Sequence, residues 1–82
     1  LYVFCGGPDG NFTAHPSLVG KSMKALQDKA TPPFAVGEAF YAAADGAEVS
    51  YTWPQVAGGP PKKKVAIIAK VLDQVCGVGY FP

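Results

Sequence analysis

Few residues in this sequence have side chains suited to covalent chemistry. There is one histidine, His15, and there are two cysteines, Cys5 and Cys76. A Ser-His-Asp or Cys-His arrangement needs a base and an orienting group beside the nucleophile, and a single histidine offers little material for either. A metal site built from these three residues would lack a fourth ligand and any Cys-x-x-Cys spacing. We therefore predict a protein that is not an enzyme and that uses no metal and no cofactor.

Aromatic residues suited to binding a small molecule occur in one strand-like segment. Val49, Tyr51 and Trp53 alternate with polar residues, so they share one face of a predicted strand. Such a stripe is often part of a core. It can also wall a pocket in which the indole N–H and the phenol O–H act as polar handles.

Lys64 is the charged residue that such a pocket could use. It ends a run of three lysines, which is usually a solvated turn. By alternation Lys64 lies on the same strand face as Ala66 and on the opposite face to Lys63. If that face meets the pocket, Lys64 can hold a ligand carboxylate as a point charge.

The two cysteines lie near opposite ends of the chain. An even number of cysteines in a short chain suggests a disulfide, whereas two buried thiols would suit a cytoplasmic protein. The residue types alone leave both interpretations open.

Composition limits the class of protein. With 82 residues, of which 49% are hydrophobic and 16% charged, we expect one small globular domain over residues 1–82. The net charge is +1 and no residue is an arginine, so the sequence offers no basic surface for nucleic acid. The sequence contains no apolar run near the roughly 20 residues that span a bilayer.

Turn signals and alternation divide the chain into six elements. Five strands and one helix are predicted in the order β-β-α-β-β-β, which is an α+β class with an antiparallel meander after the helix. The fourth strand is apolar on both faces from Val65 to Ala69, which favours a central strand covered on both sides. The predicted strands are residues 1–5, 12–14, 48–53, 63–71 and 75–81.

The predicted helix begins near Thr31, whose side chain can cap it, with Pro32 in its first turn. It ends at Asp45-Gly46. Its apolar stripe consists of Val36, Ala39, Phe40 and Ala43. Residues 17–29 are weakly patterned, and three of their apolar side chains can seat a helical turn or anchor a loop: Val19, Met23 and Leu26.

Several of these segments resemble the single Cache domain. In the first half, the similar segments are Asp9-Gly10, Ala14-His15-Pro16, Leu18-Val19-Gly20-Lys21 and Leu26-Gln-Asp28. In the second half they are Val49-Ser-Tyr51-Thr-Trp53-Pro54, the lysine-rich start of the fourth strand, and Asp73-Gln-Val-Cys-Gly-Val-Gly-Tyr80-Phe81. The similarity extends over nearly the whole chain in the right order. Its most specific part is the Tyr-x-Trp-Pro segment followed by a closing Gly-x-Gly-Tyr strand.

The resemblance implies a PAS-like or profilin-like sheet in strand order 2-1-5-4-3, with the helix and a connecting segment on one face. It implies a periplasmic or secreted domain that binds a short organic acid between the sheet and residues 17–44. His15 would lie near the pocket rim. Tyr41 on the helix is the fifth candidate ligand-binding residue, although a residue in that position is more often part of a lid or of the core. Cache domains of this type begin with a long helix, which we expect this chain to lack. A receptor or other partner protein would respond to the bound state.

The implied strand order also predicts how the cysteines pair. If the first and fifth strands are antiparallel neighbours, placing Cys5 opposite Cys76 also places Val3 opposite Val78 and Leu1 opposite Tyr80. These three pairs then lie in one register on one face, and opposed residues are close enough for a disulfide.

The alternative function is that of a structural or assembly subunit. Without the long helix, one sheet face would lack cover, and apolar residues on both faces of the fourth and fifth strands would form an exposed patch. Such a patch can drive association into a homo-oligomer or with a partner protein.

Overall fold

The computed structural model describes residues 2–82, and these form five strands and one helix. The strands make one antiparallel sheet in the order β2-β1-β5-β4-β3. The predicted fold class, element order and strand order are therefore confirmed. In chain order the elements are β1 Tyr2–Gly6, β2 Phe12–Ala14, α1 Val36–Ala42, β3 Glu48–Pro54, β4 Pro61–Val71 and β5 Gln74–Tyr80.

The core lies on the sheet face that packs against α1 and the connecting segment before it. Phe4, Phe12, Phe40 and Ile68 are each at most 3% exposed, and the Phe4 ring packs against the rings of Phe12 and Phe40. Alternation along β1 and β4 directs every second residue to this face, as expected for a half-buried sheet. The predicted helix residues Val36 and Phe40 are among the buried residues.

The opposite sheet face is largely uncovered within residues 2–82. Val3 is 58% exposed, Ile67 43% and Val71 51%. The prediction that the fourth strand is covered on both sides is therefore wrong for the described residues. Its apolar pattern extends to both faces, but α1 and the connecting segment pack against only one of them.

The helix begins at Val36, five residues after the predicted cap Thr31, and it ends at Ala42. Ala35 precedes the helix, and no side chain caps it. The reason lies in a competing interaction, because the Asp28 carboxylate accepts hydrogen bonds from the backbone N–H groups of Ala30 and Phe34. These bonds hold the residues before the helix in a turn rather than in a helical conformation.

Residues 17–35 form an anchored loop and contain no helical turn. Met23 is fully buried and Leu26 is half-buried, as the anchoring interpretation predicted, but Val19 is 62% exposed and does not contribute. A close backbone contact fixes this loop against α1, because a Cβ at Gly37 would collide with the carbonyl group of Met23.

Cys5 and Cys76 form the predicted disulfide between β1 and β5, with their Cα atoms 4.0 Å apart. Val3 lies opposite Val78, which confirms the predicted register. The third predicted pair involves Leu1, which lies outside the described residues.

Candidate functional site

Two neighbouring spaces lie at the end of the sheet where β1 begins and β3 ends. We call the first the outer cleft; it encloses about 720 Å³ including its opening to solvent. The second, the inner cavity, encloses about 240 Å³, and its interior has room for roughly one water molecule. Tyr2, His15 and Trp53 line both spaces. The outer cleft is also lined by Pro16, Ser17, Pro54, Gln55, Ala57, Lys64 and Phe81.

Lys64 is a buried cation on the wall of the outer cleft. The residue is 1% exposed, and its ammonium donates a hydrogen bond of 2.6 Å to the Tyr2 hydroxyl. The Nζ atom also lies 4.0 Å from the centroid of the Tyr2 ring and 5.1 Å from that of Phe81. Lys64 therefore lies on the pocket face of β4, as its alternation with Lys63 predicted.

The Lys64 side chain passes over Gly79 on β5. Lys64 starts on β4 and reaches Tyr2 on β1, so its stem must cross the intervening strand β5. A Cβ atom at Gly79 would lie 2.8 Å from the Lys64 Cε atom and 3.3 Å from Nζ. A side chain at this position would therefore have to displace the end of the Lys64 side chain.

Burial lowers the pKa of Lys64 to about 8, below its usual 10.5. Removal of water from around the ammonium disfavours its charged form, and burial is the sole cause found among the described residues. Among residues 2–82, no side-chain carboxylate balances the charge that the Lys64 ammonium carries at neutral pH. An incoming anion would supply that balance.

Tyr51 and Trp53 lie together on β3 and wall the inner cavity. Their ring centroids are 6.3 Å apart, and the Tyr51 ring packs edge-on against Phe40 at 5.4 Å. Tyr51 is 7% exposed, so it belongs to the core as well as to the cavity wall. Lys29 from the connecting loop places its ammonium 5.5 Å from the centroid of the Trp53 ring.

His15 lies at the junction of the two spaces, beside Tyr2 and Phe12. Its Nδ1 atom accepts hydrogen bonds from the backbone N–H groups of Ser17 and Leu18, at 2.9 and 3.0 Å. Burial, together with the nearby charge of Lys64, lowers the pKa of His15. The neutral ring therefore fixes the turn after β2 and forms part of the rim.

The structure does not bring Tyr41 to either space. Its hydroxyl donates a hydrogen bond of 2.8 Å to the carbonyl oxygen of Gly7, in the turn between β1 and β2. Of the five sequence-predicted ligand residues, four thus lie together: His15, Tyr51, Trp53 and Lys64.

Tyr2 and Asp28 are structurally important residues that the sequence patterns did not indicate. Tyr2 contacts the Lys64 ammonium, and the strand order 1-5-4 could have indicated this proximity. Asp28 is 5% exposed and joins the connecting loop to β3, because its Oδ2 atom accepts a 3.0 Å hydrogen bond from the backbone N–H of Thr52. Burial alone would raise the pKa of Asp28, but three backbone N–H donors outweigh it and hold that pKa below its usual value.

Within residues 2–82, no three His, Cys, Asp or Glu side chains come together in a way that could hold a metal ion. The helix in this part of the chain is also too short to cross a membrane.

No protein-family model matches the sequence, and no curated protein matches it. Solved structures that share its fold include the following two. One is the periplasmic sensor domain of a chemotaxis protein, with a TM-score of 0.77 and 20% identity over 98% of this chain. The other is a methyl-accepting chemotaxis protein from Vibrio parahaemolyticus RIMD 2210633, with a TM-score of 0.76 and 25% identity over 98% of this chain. This chain covers 60% and 57% of their respective lengths.

The fold is thus shared with a periplasmic sensor domain, and it is the PAS-like fold that the resemblance to the single Cache domain implied. Disulfides persist in oxidising compartments. The Cys5–Cys76 bond and these structural neighbours therefore support a periplasmic or extracellular location.

Proposed function

We propose that this chain is an extracytoplasmic sensing domain that binds a short organic acid in the outer cleft and catalyses no reaction. The observation that supports this proposal best is Lys64, a buried ammonium on the cleft wall whose pKa is lowered by burial alone. A carboxylate bound beside it would form a charge-assisted hydrogen bond in a water-poor site, where such bonds are strongest.

The surroundings of Lys64 suit a small, partly apolar acid. Trp53 and Phe81 offer apolar surface for a short carbon chain, while Tyr2 presents a hydroxyl. The inner cavity is too narrow for an organic molecule in this conformation, so a ligand would occupy the outer cleft or move the rings between the two spaces.

The bound state would be transmitted by differential stabilisation. Ligand contacts with His15 and Ser17 would order the segment from residue 17 to residue 44, and a receptor element or partner protein would respond to that ordering. The structural neighbours, which include a periplasmic sensor domain, support this role.

Fluorescence titration with acetate, propionate, pyruvate and lactate tests the proposal, because the chain's single tryptophan, Trp53, lines the cleft. We expect saturable changes for at least one acid, accompanied by a higher Tm. Lys64→Met should abolish them. Lys63→Met should not, because it removes the same charge from the neighbouring exposed position on the other sheet face. If no acid produces a response, or if both variants bind equally, the proposal is wrong.

A second candidate function is self-association through the uncovered sheet face. Val3, Ile67 and Val71 are exposed there beside the half-buried disulfide. Two copies could bury these residues against each other. Sedimentation over a wide concentration range tests this, and Ile67→Lys should shift any dimer to monomer. A monomer at every concentration would rule it out for this chain.

A further inference from the structure

We propose that the Lys64 amine forms a reversible imine with a short oxo acid that enters the outer cleft. This inference rests on the proposed function, because it assumes that small acids enter that cleft. It goes further by assigning a covalent site and a ligand class, namely an acid with an aldehyde or ketone group next to its carboxylate.

The placement of the amine is the first argument. Lys64 is 1% exposed, and its Nζ atom is enclosed by the rings of Tyr2, Tyr51 and Phe81 at 4.0, 5.8 and 5.1 Å from their centroids. An imine is hydrolysed by water, and these rings restrict the access of water to the nitrogen. Phe81 is itself only half-buried, so a ligand can reach the amine by displacing its ring.

Reactivity is the second argument. Lysine reacts with carbonyl compounds in its neutral form, and a desolvated lysine keeps more of that form at neutral pH. Burial lowers the pKa of Lys64 to about 8. At pH 7 its neutral fraction then exceeds that of an ordinary lysine by about two orders of magnitude.

The Tyr2 hydroxyl is the third argument, because imine formation needs a proton donor. The amine nitrogen attacks the carbonyl carbon, and one of its protons moves to the carbonyl oxygen, which becomes the hydroxyl group of a carbinolamine. Tyr2, whose oxygen lies 2.6 Å from Nζ, donates a proton to that hydroxyl, which leaves as water while the C=N bond forms. The nitrogen then returns one proton to the Tyr2 oxygen. One water is released, and nothing is oxidised or reduced. Burial raises the pKa of Tyr2, so the phenol stays protonated at neutral pH.

Reductive trapping tests this inference. The wild-type protein is incubated at pH 7 with pyruvate or glyoxylate, the imine is reduced with cyanoborohydride, and the modified lysines are located by peptide mass spectrometry. A trapped adduct adds the mass of the acid less one oxygen. We expect trapping at Lys64 to be at least about tenfold faster than at the exposed Lys63, because of its larger neutral fraction. This comparison within one folded protein does not depend on the stability of any variant.

Lys64→Arg keeps the positive charge but cannot form the imine, so it should remove the fast adduct, whereas Lys63→Arg should leave it unchanged.

Acetate, which has no aldehyde or ketone group to react, separates this inference from the proposed function. If acetate and pyruvate both bind but the adduct spreads evenly over the exposed lysines, imine formation at Lys64 is wrong, whereas the proposal of acid binding in the outer cleft is supported. If Lys64 is trapped quickly but acetate does not bind, imine formation at Lys64 is supported, and the proposal that the cleft binds a simple carboxylate is wrong. If neither binding nor selective trapping occurs, both are wrong.

Discussion

Asp28 should be the strongest single anchor between the connecting loop and the sheet. Its Oδ1 atom accepts hydrogen bonds from Ala30 and Phe34, at 3.0 and 2.8 Å, and its Oδ2 atom accepts one from Thr52 at 3.0 Å. Hydrogen bonds to a charged acceptor contribute about 1.5–3 kcal/mol each. Asp28→Ala removes all three and leaves backbone N–H groups without partners, so we expect the free energy of unfolding to fall by about 3–5 kcal/mol.

Asp28→Asn distinguishes the hydrogen bonds that Oδ1 accepts within the loop from the hydrogen bond that Oδ2 accepts from β3. The amide oxygen can still accept the bonds from Ala30 and Phe34, but the introduced NH₂ group faces another donor, the backbone N–H of Thr52. We therefore expect a smaller loss, about 1–3 kcal/mol, confined to the loop–β3 contact. Amide hydrogen exchange should show faster exchange at Thr52 and at Lys29, whose N–H donates to the Thr52 carbonyl oxygen.

Urea unfolding measures these differences, and its pH dependence provides an independent check. Because the pKa of Asp28 is held below its unfolded value of 3.8, its contribution is present above about pH 4 and is lost as the pH falls through the lower folded pKa. The Asp28→Asn variant should lack this part of the acid dependence. Asp73→Asn removes the same charge at an exposed position and should change stability by less than about 0.5 kcal/mol. If both Asp28 variants match that control, the anchor does not exist as described.

Three further predictions concern the disulfide and the outer cleft. Replacing Cys5 and Cys76 by serine opens a loop with a sequence separation of 71 residues. In the chain-entropy model this should lower the free energy of unfolding by roughly 4 kcal/mol, and an unchanged Tm would contradict the prediction. Lys64→Met should be more stable than the wild type at pH 7. The wild type should recover stability as the pH rises from about 8 towards 10.5, because the buried amine then loses its charge, and parallel pH curves would refute this. Gly79→Ala should displace the Lys64 stem and weaken acid binding by about tenfold or more; equal affinity by calorimetry would show that the crossing over Gly79 does not matter.

Side-chain alternation explains why much of the candidate site was predictable. Tyr51 and Trp53 share a face of β3, and Tyr51 lies opposite Lys64 on β4, so one register brings all three together. Cys5 and Cys76 follow from the same logic once β1 and β5 are neighbours. A two-residue period and a strand order are sufficient for these positions.

The features that were missed depend on contacts that no local pattern encodes. Asp28 bonds to Thr52, 24 residues away, and Tyr41 bonds to Gly7, 34 residues away. The first of these interactions belongs to the network that holds the turn ahead of α1, so the capping pattern at Thr31 was misleading. A side chain that satisfies distant backbone groups can override a local helix signal.

Burying the Lys64 ammonium is energetically unfavourable, and this unfavourable burial is itself an argument about function. A methionine of similar length would fill the same space without desolvating a charge. The chain instead keeps an ammonium at this position, and the lysine stem crosses β5 at Gly79, near the end of that strand. Together these two residues place one nitrogen beside Tyr2 at the cleft wall. An unfavourable burial of this kind at the wall of a cleft is expected at a binding site, because a bound ligand can compensate for it.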